Sequence, residues 1–365
     1  MRGERESQVT MLTVVQPDHR IRADHPIRRI KALADAELRR LSPVLGGLYA
    51  AVGRPSSPPE RLLKACLLIA LSSVRSERQF CEQLDYDLLY RWFLDMKLDE
   101  PSFDASTCAK NKQRLLAAEV ARHFFEGVVR QAKGPGLLSA AHFTVDGTLI
   151  EAWASLTSVR PREEPRRRPP DDPGNPTVNV HGEKRTNAAQ ASTTDPAAQL
   201  ARKGDGKEAK RCFSAHVVTE NRAGLCVDVR VADANPASER TAAVAMAAPA
   251  PAAGLSAGDR RCRQGVGHND LHRPRAPARD HAARRAADHR ASGREDRRAY
   301  DATHGLRGEP ARPQARGRDP WRWMKTVGGL RQTRYRGIAR TGLWAYLVAS
   351  AYDLLRLARR RPTPA

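Results

Sequence analysis

The sequence lacks most features that would identify a membrane protein, a zinc protein or a disulfide-rich protein. Its longest apolar runs, LLKACLLIAL and LWAYLVASAY, are shorter than the roughly 20 residues that a bilayer requires, so we expect no membrane partner. The first ten residues have no apolar core of a secretory signal. No C-x-x-C pair occurs among the cysteines, which argues against a zinc site and a disulfide framework and favours reduced thiols in a cytoplasm. The six cysteines are Cys66, Cys81, Cys108, Cys212, Cys226 and Cys262.

Acidic residues are scarce relative to basic ones. The 365 residues include 63 Lys and Arg against 41 Asp and Glu, which gives a net charge of +22. Such an excess favours a polyanionic partner such as nucleic acid. A solvated basic surface or a disordered basic segment is the alternative, and charge alone does not separate the two. The length allows two modest domains with a real core.

Asp146 stands at the end of a short apolar run in the string HFTVDGTLIEAWAS, residues 142–155. A strand that ended here could present its carboxylate to a metal ion, because hard cations prefer oxygen ligands. Asp-Gly is also an ordinary turn signal. Both interpretations stay open on this string alone.

Three further segments follow in order. They are HGEKRTNAAQASTTDPAAQLARKGDGKEAKRCF at 181–213, the two-strand pattern AHVVTE and GLCVDVRVA, and WMKTVGGLRQTRYRGIARTGLWAYLVASAYDLLR at 323–356. Together with the string around Asp146, they resemble the DDE-type transposases of bacterial insertion sequences, in the group whose model element is the fifth-numbered insertion sequence. The resemblance covers residues 57–246 and resumes at about residue 321.

The resemblance implies an α/β fold: a ribonuclease H-like core, incomplete here, with an N-terminal all-α domain and long disordered segments. In that family two aspartates and a glutamate hold two Mg²⁺ ions that activate the nucleophile and stabilise the leaving oxygen. Asp146 matches the first of these positions. The implied partner is double-stranded DNA, both terminal inverted repeats and target, with a homo-oligomer forming on it.

The N-terminal part of the chain divides into a partly helical segment, 1–55, and an all-helical unit, 56–133, that looks like the DNA-binding domain of the family. In this unit Asp104 and Ser106 are candidate N-caps of a basic helix. Its candidate phosphate contacts are Lys110, Lys112 and Arg114. The alternative is that these residues form the solvated face of an amphipathic helix.

Strand patterns begin after the Gly-Pro-Gly at 134–136, and residues 137–246 are expected to form the first part of the catalytic domain. Residues 156–210 interrupt it as a long surface insertion that is rich in Pro, Arg, Asp and Gly. In the resembled family this insertion carries the HGEKR-like and TDP-like strings. His181, Lys184 and Arg185 are therefore candidate DNA contacts.

Residues 247–320 have a composition unlike the rest of the chain. They contain 16 arginines, no lysine, and five residues from the set Leu, Ile, Val, Met, Phe, Tyr and Trp. Such a stretch cannot bury enough apolar surface to offset the entropy of ordering its backbone, so we expect disorder. This amino-acid composition is typical of GC-rich coding DNA that is translated out of frame.

The genetic code alone supports a frameshift. Back-translation of CRQGVGHNDLHRP, residues 262–274, and a one-base forward shift permit Ala-Asp-Lys-Gly followed by Leu, Ser or Trp and then Asp. The resembled family carries its second catalytic aspartate in an Ala-Asp-Lys-Gly-Tyr-Asp string. The codons of that aspartate would overlap Arg263 and Gln264. We therefore hypothesise a frameshifted transposase gene whose frame is lost near Met246 and regained near Trp321.

The third motif of the family has Tyr, Arg, Glu and Lys at fixed spacing. By count these fall at Ala311, Gln314, Arg318 and Lys325, so that Lys325 alone matches. An arginine at the position of the glutamate would repel a metal ion. Asp228 and Asp233 are the remaining candidate ligands, although solvation at the surface explains both.

Residues 321–365 are expected to be the C-terminal helical part of the catalytic domain. Their candidate DNA contacts are Arg331, Arg334 and Arg336, beside Lys325 and Tyr335. The alternative is a basic helix end followed by the buried run LWAYLVASAYDLL.

The sequence thus leaves three hypotheses. The first is a transposase by descent, acting by DNA cleavage and strand transfer in its family but catalytically defective in this chain, with Asp146 and Lys325 left of its catalytic set. The second is a non-catalytic DNA-binding remnant that recognises terminal inverted repeats. The third is an open reading frame that yields no stable protein. For the first two, the expected location is the cytoplasm, in association with the nucleoid.

Overall fold

A computed structural model provides the fold. It describes residues 16–50, 56–117, 119–134, 136–138, 143–154, 158–161, 187, 190–203, 207–234, 246, 260–262 and 320–360. The elements within these ranges belong to one compact unit, which comprises residues 1–263 and 319–365. The candidate contacts His181, Lys184 and Arg185 lie outside the described residues, as do most of residues 247–320.

The N-terminal half is helical and the remainder combines strands with two C-terminal helices. The helices are α1 Pro17–Arg20, α2 Pro26–Gly46, α3 Pro59–Leu71, α4 Glu77–Tyr86, α5 Leu88–Phe93, α6 Ala105–Ala117, α7 Val120–Lys133, α8 Pro320–Thr326 and α9 Ile338–Arg359. The strands are β1 Phe143–Glu151, β2 Val159–Pro161, β3 Gln190–Ser192, β4 Gln199–Ala201, β5 Lys210–Glu220, β6 Leu225–Asp233 and β7 Arg260–Cys262. The expected mixture of an all-helical N-terminal part with an α/β remainder is confirmed.

Local sequence signals set the start of several helices. Pro59 opens α3, where its missing N–H leaves no hydrogen bond unmade. Ser76 caps α4 by accepting a hydrogen bond from the Gln79 N–H at 3.1 Å. Asp104 caps α6, because its Oδ1 accepts a bond from the Ser106 N–H at 2.6 Å. The sequence-based cap at Asp104 is thereby confirmed.

The helical core forms around α9, although this helix is the last in the chain. It packs against α2, α3, α7 and the strand β6. Trp344, Leu347 and Val348 of α9 are at most 1% exposed. Residues from both ends of the chain therefore share one hydrophobic core.

The sheet is mixed. Its order is β4-β5-β1-β7, and β6 also pairs with β5. β1 runs antiparallel to β5 along its whole length and parallel to β7 at residues 143–145. β2 and β3 form a separate two-stranded ribbon. β1 therefore lies in the interior of the sheet, with a neighbour on each side.

Two short stretches differ from the sequence-based expectations. β7 lies within residues 247–320, for which composition predicts disorder, yet its three residues pair with β1. The strands β2, β3 and β4 lie within residues 156–210, which the amino-acid sequence predicts to be a long surface insertion. Composition predicts whether a segment can fold by itself, whereas β7 and β4 pair with the strands β1 and β5. β2 and β3 pair with each other across the insertion.

The C-terminal helix also holds the turn between β5 and β6. Asp353 accepts a hydrogen bond from the Cys226 N–H at 2.9 Å, and the Tyr352 hydroxyl donates to the Gly224 carbonyl at 3.0 Å. Asp353 is 1% exposed, and its second carboxyl oxygen has no hydrogen-bond partner in the described part of the chain. Burial raises the pKa of this carboxyl well above its usual range, although Cys226 and Arg356 act in the opposite direction.

Replacement of Asp353 by Asn should stabilise the protein at neutral pH. A carboxyl whose pKa is raised in the folded state stabilises that state fully below its unfolded pKa near 3.8, and this stabilisation is lost as the pH rises through the folded pKa. The neutral amide keeps the acceptor for Cys226 and avoids this loss, so we expect a gain of roughly 1–3 kcal/mol. Urea unfolding at a series of pH values measures it, and the gain should vanish in acid.

Asp99→Asn, at an exposed position, is the matched control and should change little. A lower stability of Asp353→Asn at neutral pH would contradict this account and would show that the ionised carboxylate is needed, with Arg356 as its counter-ion.

Candidate functional site

Asp146 lies inside β1, opposite Val217 of β5. The strand does not end at Asp146, as the sequence suggested, and the Asp-Gly pair does not form a turn: Gly147 continues the strand opposite His216, and β1 extends to Glu151. The reason is the apolar and β-branched run Thr148-Leu149-Ile150, whose preference for a sheet outweighs the local turn signal. The backbone carbonyl of Asp146 accepts a hydrogen bond from the Trp321 indole N–H at 3.2 Å.

Lys325 reaches the same strand from α8. Its Nζ donates to the Thr148 hydroxyl at 2.5 Å and to the Leu149 carbonyl at 2.9 Å. Thr148 and Asp146 are two residues apart on β1, so the side chains of these two residues lie on the same face of the sheet. The structure thus brings together the two residues that the family resemblance assigns to the catalytic set.

Burial and neighbouring charges change the acidity of Lys325. Burial is the main cause that lowers the pKa of its ammonium group, and the cations Lys203 and Arg331 lower it further. Glu151 and Asp146 oppose this effect. Burial and the two cations together outweigh the two carboxylates, so the pKa of the amine is lowered.

The segment after α8 is attached to the end of β1. The Glu151 N–H donates to the Arg331 carbonyl at 3.0 Å, and the Thr333 N–H donates to the Glu151 carbonyl at 2.7 Å. The Glu151 side chain accepts a bond from Lys210 at 3.1 Å. Sequence reasoning had not selected Glu151 or Lys210, because neither belongs to a recognisable motif.

The three C-terminal arginines have different surroundings. Arg331 and Arg336 are exposed. Arg334 is partly buried, donates to the Val74 carbonyl at 2.7 Å and lies 5.9 Å from the centre of the Trp344 ring. Burial lowers the pKa of this guanidinium group. Arg334 therefore connects the segment after α8 to the loop that precedes α4.

The basic helix α6 has one exposed lysine and one stacked arginine among its candidate contacts. Lys110 is exposed. Arg114 lies 5.1 Å from the centre of the Tyr49 ring and donates to Asn111 at 3.3 Å. The side chain of Lys112 lies outside the described part of the structure. A cavity of about 370 Å³ is lined by Lys110 of α6 and Arg340 of α9, together with the acid Glu77.

The TDP string of the insertion has a structural role that its sequence did not reveal. Asp195 is 1% exposed and accepts a hydrogen bond from the Gly337 N–H at 3.0 Å. Gly337 is the N-cap of α9 and has a φ of 84°, a conformation that favours glycine. A carboxylate at this position compensates the positive end of the helix. Asp195 thus fixes the beginning of α9 beside the basic segment.

The carboxylates that the structure describes do not form a two-metal site. The described residues contain no group of three or more His, Cys, Asp or Glu side chains that could hold a metal ion. Asp228 lies on β6, which is separated from β1 by β5, so it is about two strand spacings, roughly 10 Å, from Asp146. Two catalytic metals lie only about 4 Å apart. Asp228 pairs with Arg230 at 3.3 Å, and Asp233 ends the same strand.

Exposed cations lie on the helical part of the chain, at Lys110, and in the C-terminal segment, at Arg331 and Arg336. Residues 15–114 match the family described as "Transposase domain (DUF772)". The match supports a transposase family for this chain. It includes α1 and α2, whereas the sequence resemblance begins at residue 57. Neither the curated proteins nor the solved structures yielded a match. In the part of the chain that the structure describes, no helix is long and apolar enough to cross a membrane.

Proposed function

We propose that this chain is an insertion-sequence transposase of the DDE type by descent, which binds DNA but lacks the complete set of carboxylates for cleavage and strand transfer. The observation that carries the proposal is the transposase-domain match of residues 15–114, in a chain where Lys325 also bonds to the strand that carries Asp146.

The sheet supports a ribonuclease H-like core. β1 has the antiparallel strands β5 and β6 on one side and the parallel strand β7 on the other. A carboxylate in the interior strand of such a sheet is held rigidly by pairing on both sides. This is what a site for DNA cleavage requires of its first ligand.

The position of β7 supports the frameshift. This strand ends at Cys262, opposite Val145, one residue before Asp146 on the neighbouring strand. The codons that a one-base shift would convert into an aspartate overlap Arg263 and Gln264, directly after this strand in the sequence. In the shifted frame, an aspartate would thus follow the strand that pairs with β1 beside Asp146.

Mg²⁺ is the cofactor that the resemblance implies, with two ions in the intact family site. Because the described residues do not fit such a site, we assign no metal-dependent step to this chain. Asp146 would contribute one carboxylate to a metal, and the ammonium group of Lys325 would contact a phosphate near the point of cleavage.

DNA binding requires only basic side chains and does not depend on the missing carboxylates. Lys110, Arg331 and Arg336 are exposed and available for phosphate contacts, and the net charge is +22. We propose terminal inverted repeats and target DNA as partners, with oligomerisation on DNA. A non-catalytic remnant that recognises the repeats is the second candidate, favoured by the absence of a metal-binding group among the described residues.

Replacement of Lys110 by Ala should weaken binding to duplex DNA and reduce its salt dependence. Each phosphate contact contributes about 0.9 to the slope of log affinity against log salt. A gel shift over a salt series measures the slope, and Lys97→Ala, at another exposed lysine, is the matched control. Equal slopes for the two variants would assign Lys110 to the solvated face of α6.

The same preparation separates the competing functions. Nicking of DNA that contains the element's ends in Mg²⁺ would favour an active transposase. A salt-sensitive shift without cleavage would favour the remnant. Cooperative melting of the purified chain would argue against an open reading frame that yields no stable protein.

A further inference from the structure

Four cations converge on the end of β1, and they come from four different segments of the chain. Lys203 follows β4, Lys210 begins β5, Lys325 lies in α8 and Arg331 follows that helix. Lys203 and Lys210 belong to no motif of the resembled family that the sequence displays. Their position emerges only from the folded sheet.

Hydrogen bonds and strand register fix this convergence. β4 pairs with β5 so that Ala201 lies opposite Lys210, and Lys203 leaves the strand two residues later. Lys210 lies 3.1 Å from the Glu151 carboxylate. The Arg331 backbone bonds to Glu151 at 3.0 Å.

Lys325 completes the group from inside the protein. It bonds to Thr148 and Leu149, which precede Glu151 on the same strand. Burial lowers the pKa of its ammonium group, and the positive charges of Lys203 and Arg331 lower it further.

Two exposed cations of this group have no acidic partner among the described residues. Glu151 pairs with Lys210, whereas neither Lys203 nor Arg331 forms an ion pair with any residue that the structure describes. Both are exposed, and Lys210 is 46% exposed. Like charges held together repel each other, and such a surface concentrates anions from solution.

We propose that Lys203, Lys210, Lys325 and Arg331 form a binding site for backbone phosphates of a DNA strand that lies along β1 beside Asp146. The inference rests on the proposed function and adds to it: it names the β4–β5 segment of the insertion as part of the DNA interface. It also gives the DNA a direction, from Asp146 towards the end of β1 at Glu151.

The test compares the double variant Lys203→Gln, Lys210→Gln with the control Lys97→Gln, Arg39→Gln. All four positions are exposed and both variants lose two charges, so long-range attraction to DNA changes equally. Fluorescence anisotropy with a short duplex of random sequence is measured over a salt series. We expect the site variant to lose about 0.9 of slope per phosphate contact, and the control to lose little.

Glu151→Gln should increase the affinity for DNA, whereas the double variant of Lys203 and Lys210 should decrease it. The substitution releases Lys210 from its ion pair with Glu151 and removes the negative charge beside the four cations, so DNA should bind more tightly. Glu126→Gln is the control, because it breaks a comparable ion pair of 3.0 Å with Arg122 on α7, although Arg122 keeps its contact with Glu119. Tighter binding by Glu151→Gln alone supports the site, and equal changes in the two variants contradict it.

The outcomes separate the two proposals. If the unmodified chain shows no salt-dependent binding to DNA, the proposed function itself fails. If it binds and the site variant behaves like the control, this inference alone fails. If inorganic phosphate at constant ionic strength displaces the duplex efficiently, the site takes a free anion and not a DNA strand.

Discussion

A gene whose reading frame is restored between codons 246 and 321 is expected to encode a protein that cleaves DNA in Mg²⁺, whereas the present chain should leave DNA intact. Two metal ions about 4 Å apart need several carboxylates, and Asp146 alone cannot hold both. The difference in rate should be at least about a thousandfold, since loss of one electrostatic stabiliser already costs roughly 10²–10³. Cleavage of a labelled duplex that carries the element's ends measures it.

Two observations control this experiment. Asp146→Asn should abolish cleavage by the restored protein and should not weaken DNA binding by the present chain. Efficient cleavage by the present chain, stopped by Asp146→Asn, would contradict our account of its site. A nucleotide sequence in which no one-base shift opens the family pattern would contradict the frameshift.

The sequence predicted those parts of the fold that depend on local signals. The apolar spacing at 27–41 indicates a helix, and α2 is found at Pro26–Gly46. The cap at Asp104 was likewise predictable, because a capping side chain bonds to its own first turn. Such signals act over a few residues and can be recognised in a single sequence.

The remainder depends on contacts between distant residues. Gly147 looks like part of a turn until its pairing with His216 is known. Arg334 looks like a DNA contact, but its bond to Val74 spans 260 positions of the chain. The positions of Lys203 and Lys210 near Lys325 follow from strand register, which no local pattern specifies.

Part of the candidate site was predictable from sequence motifs, and part of it was not. Asp146 and Lys325 were selected because they match family motifs, and the structure places Lys325 of α8 against β1, the strand that carries Asp146. Lys203 and Lys210, which lie near Glu151, were missed, because phosphate binding needs charge at the right place and imposes no residue spacing. Motifs therefore identify residues that do chemistry more readily than residues that hold the substrate.

Loss of α9 should unfold the helical domain, even though the matched region ends at residue 114. Trp344 is 1% exposed and packs 5.8 Å from the Tyr335 ring, in the core that α9 shares with α2, α3 and α7. Trp344→Ala should lower the free energy of unfolding by about 3–5 kcal/mol, a large part of the roughly 5–15 kcal/mol that stabilises a typical domain. Urea unfolding followed by circular dichroism measures this loss.

Truncation of the chain after residue 319 tests the contribution of the whole helix α9 to the stability of the helical domain. It lacks every contact of α9 with the N-terminal helices, so we expect it to lose cooperative melting altogether. Trp153→Ala is the control for the point variant, since Trp153 is 58% exposed and should contribute little. If the truncated chain still melts cooperatively, the helical domain folds without α9. In that case, recovery of the family pattern near residue 321 would not be required for a folded DNA-binding domain, and a frameshifted copy could retain binding without it.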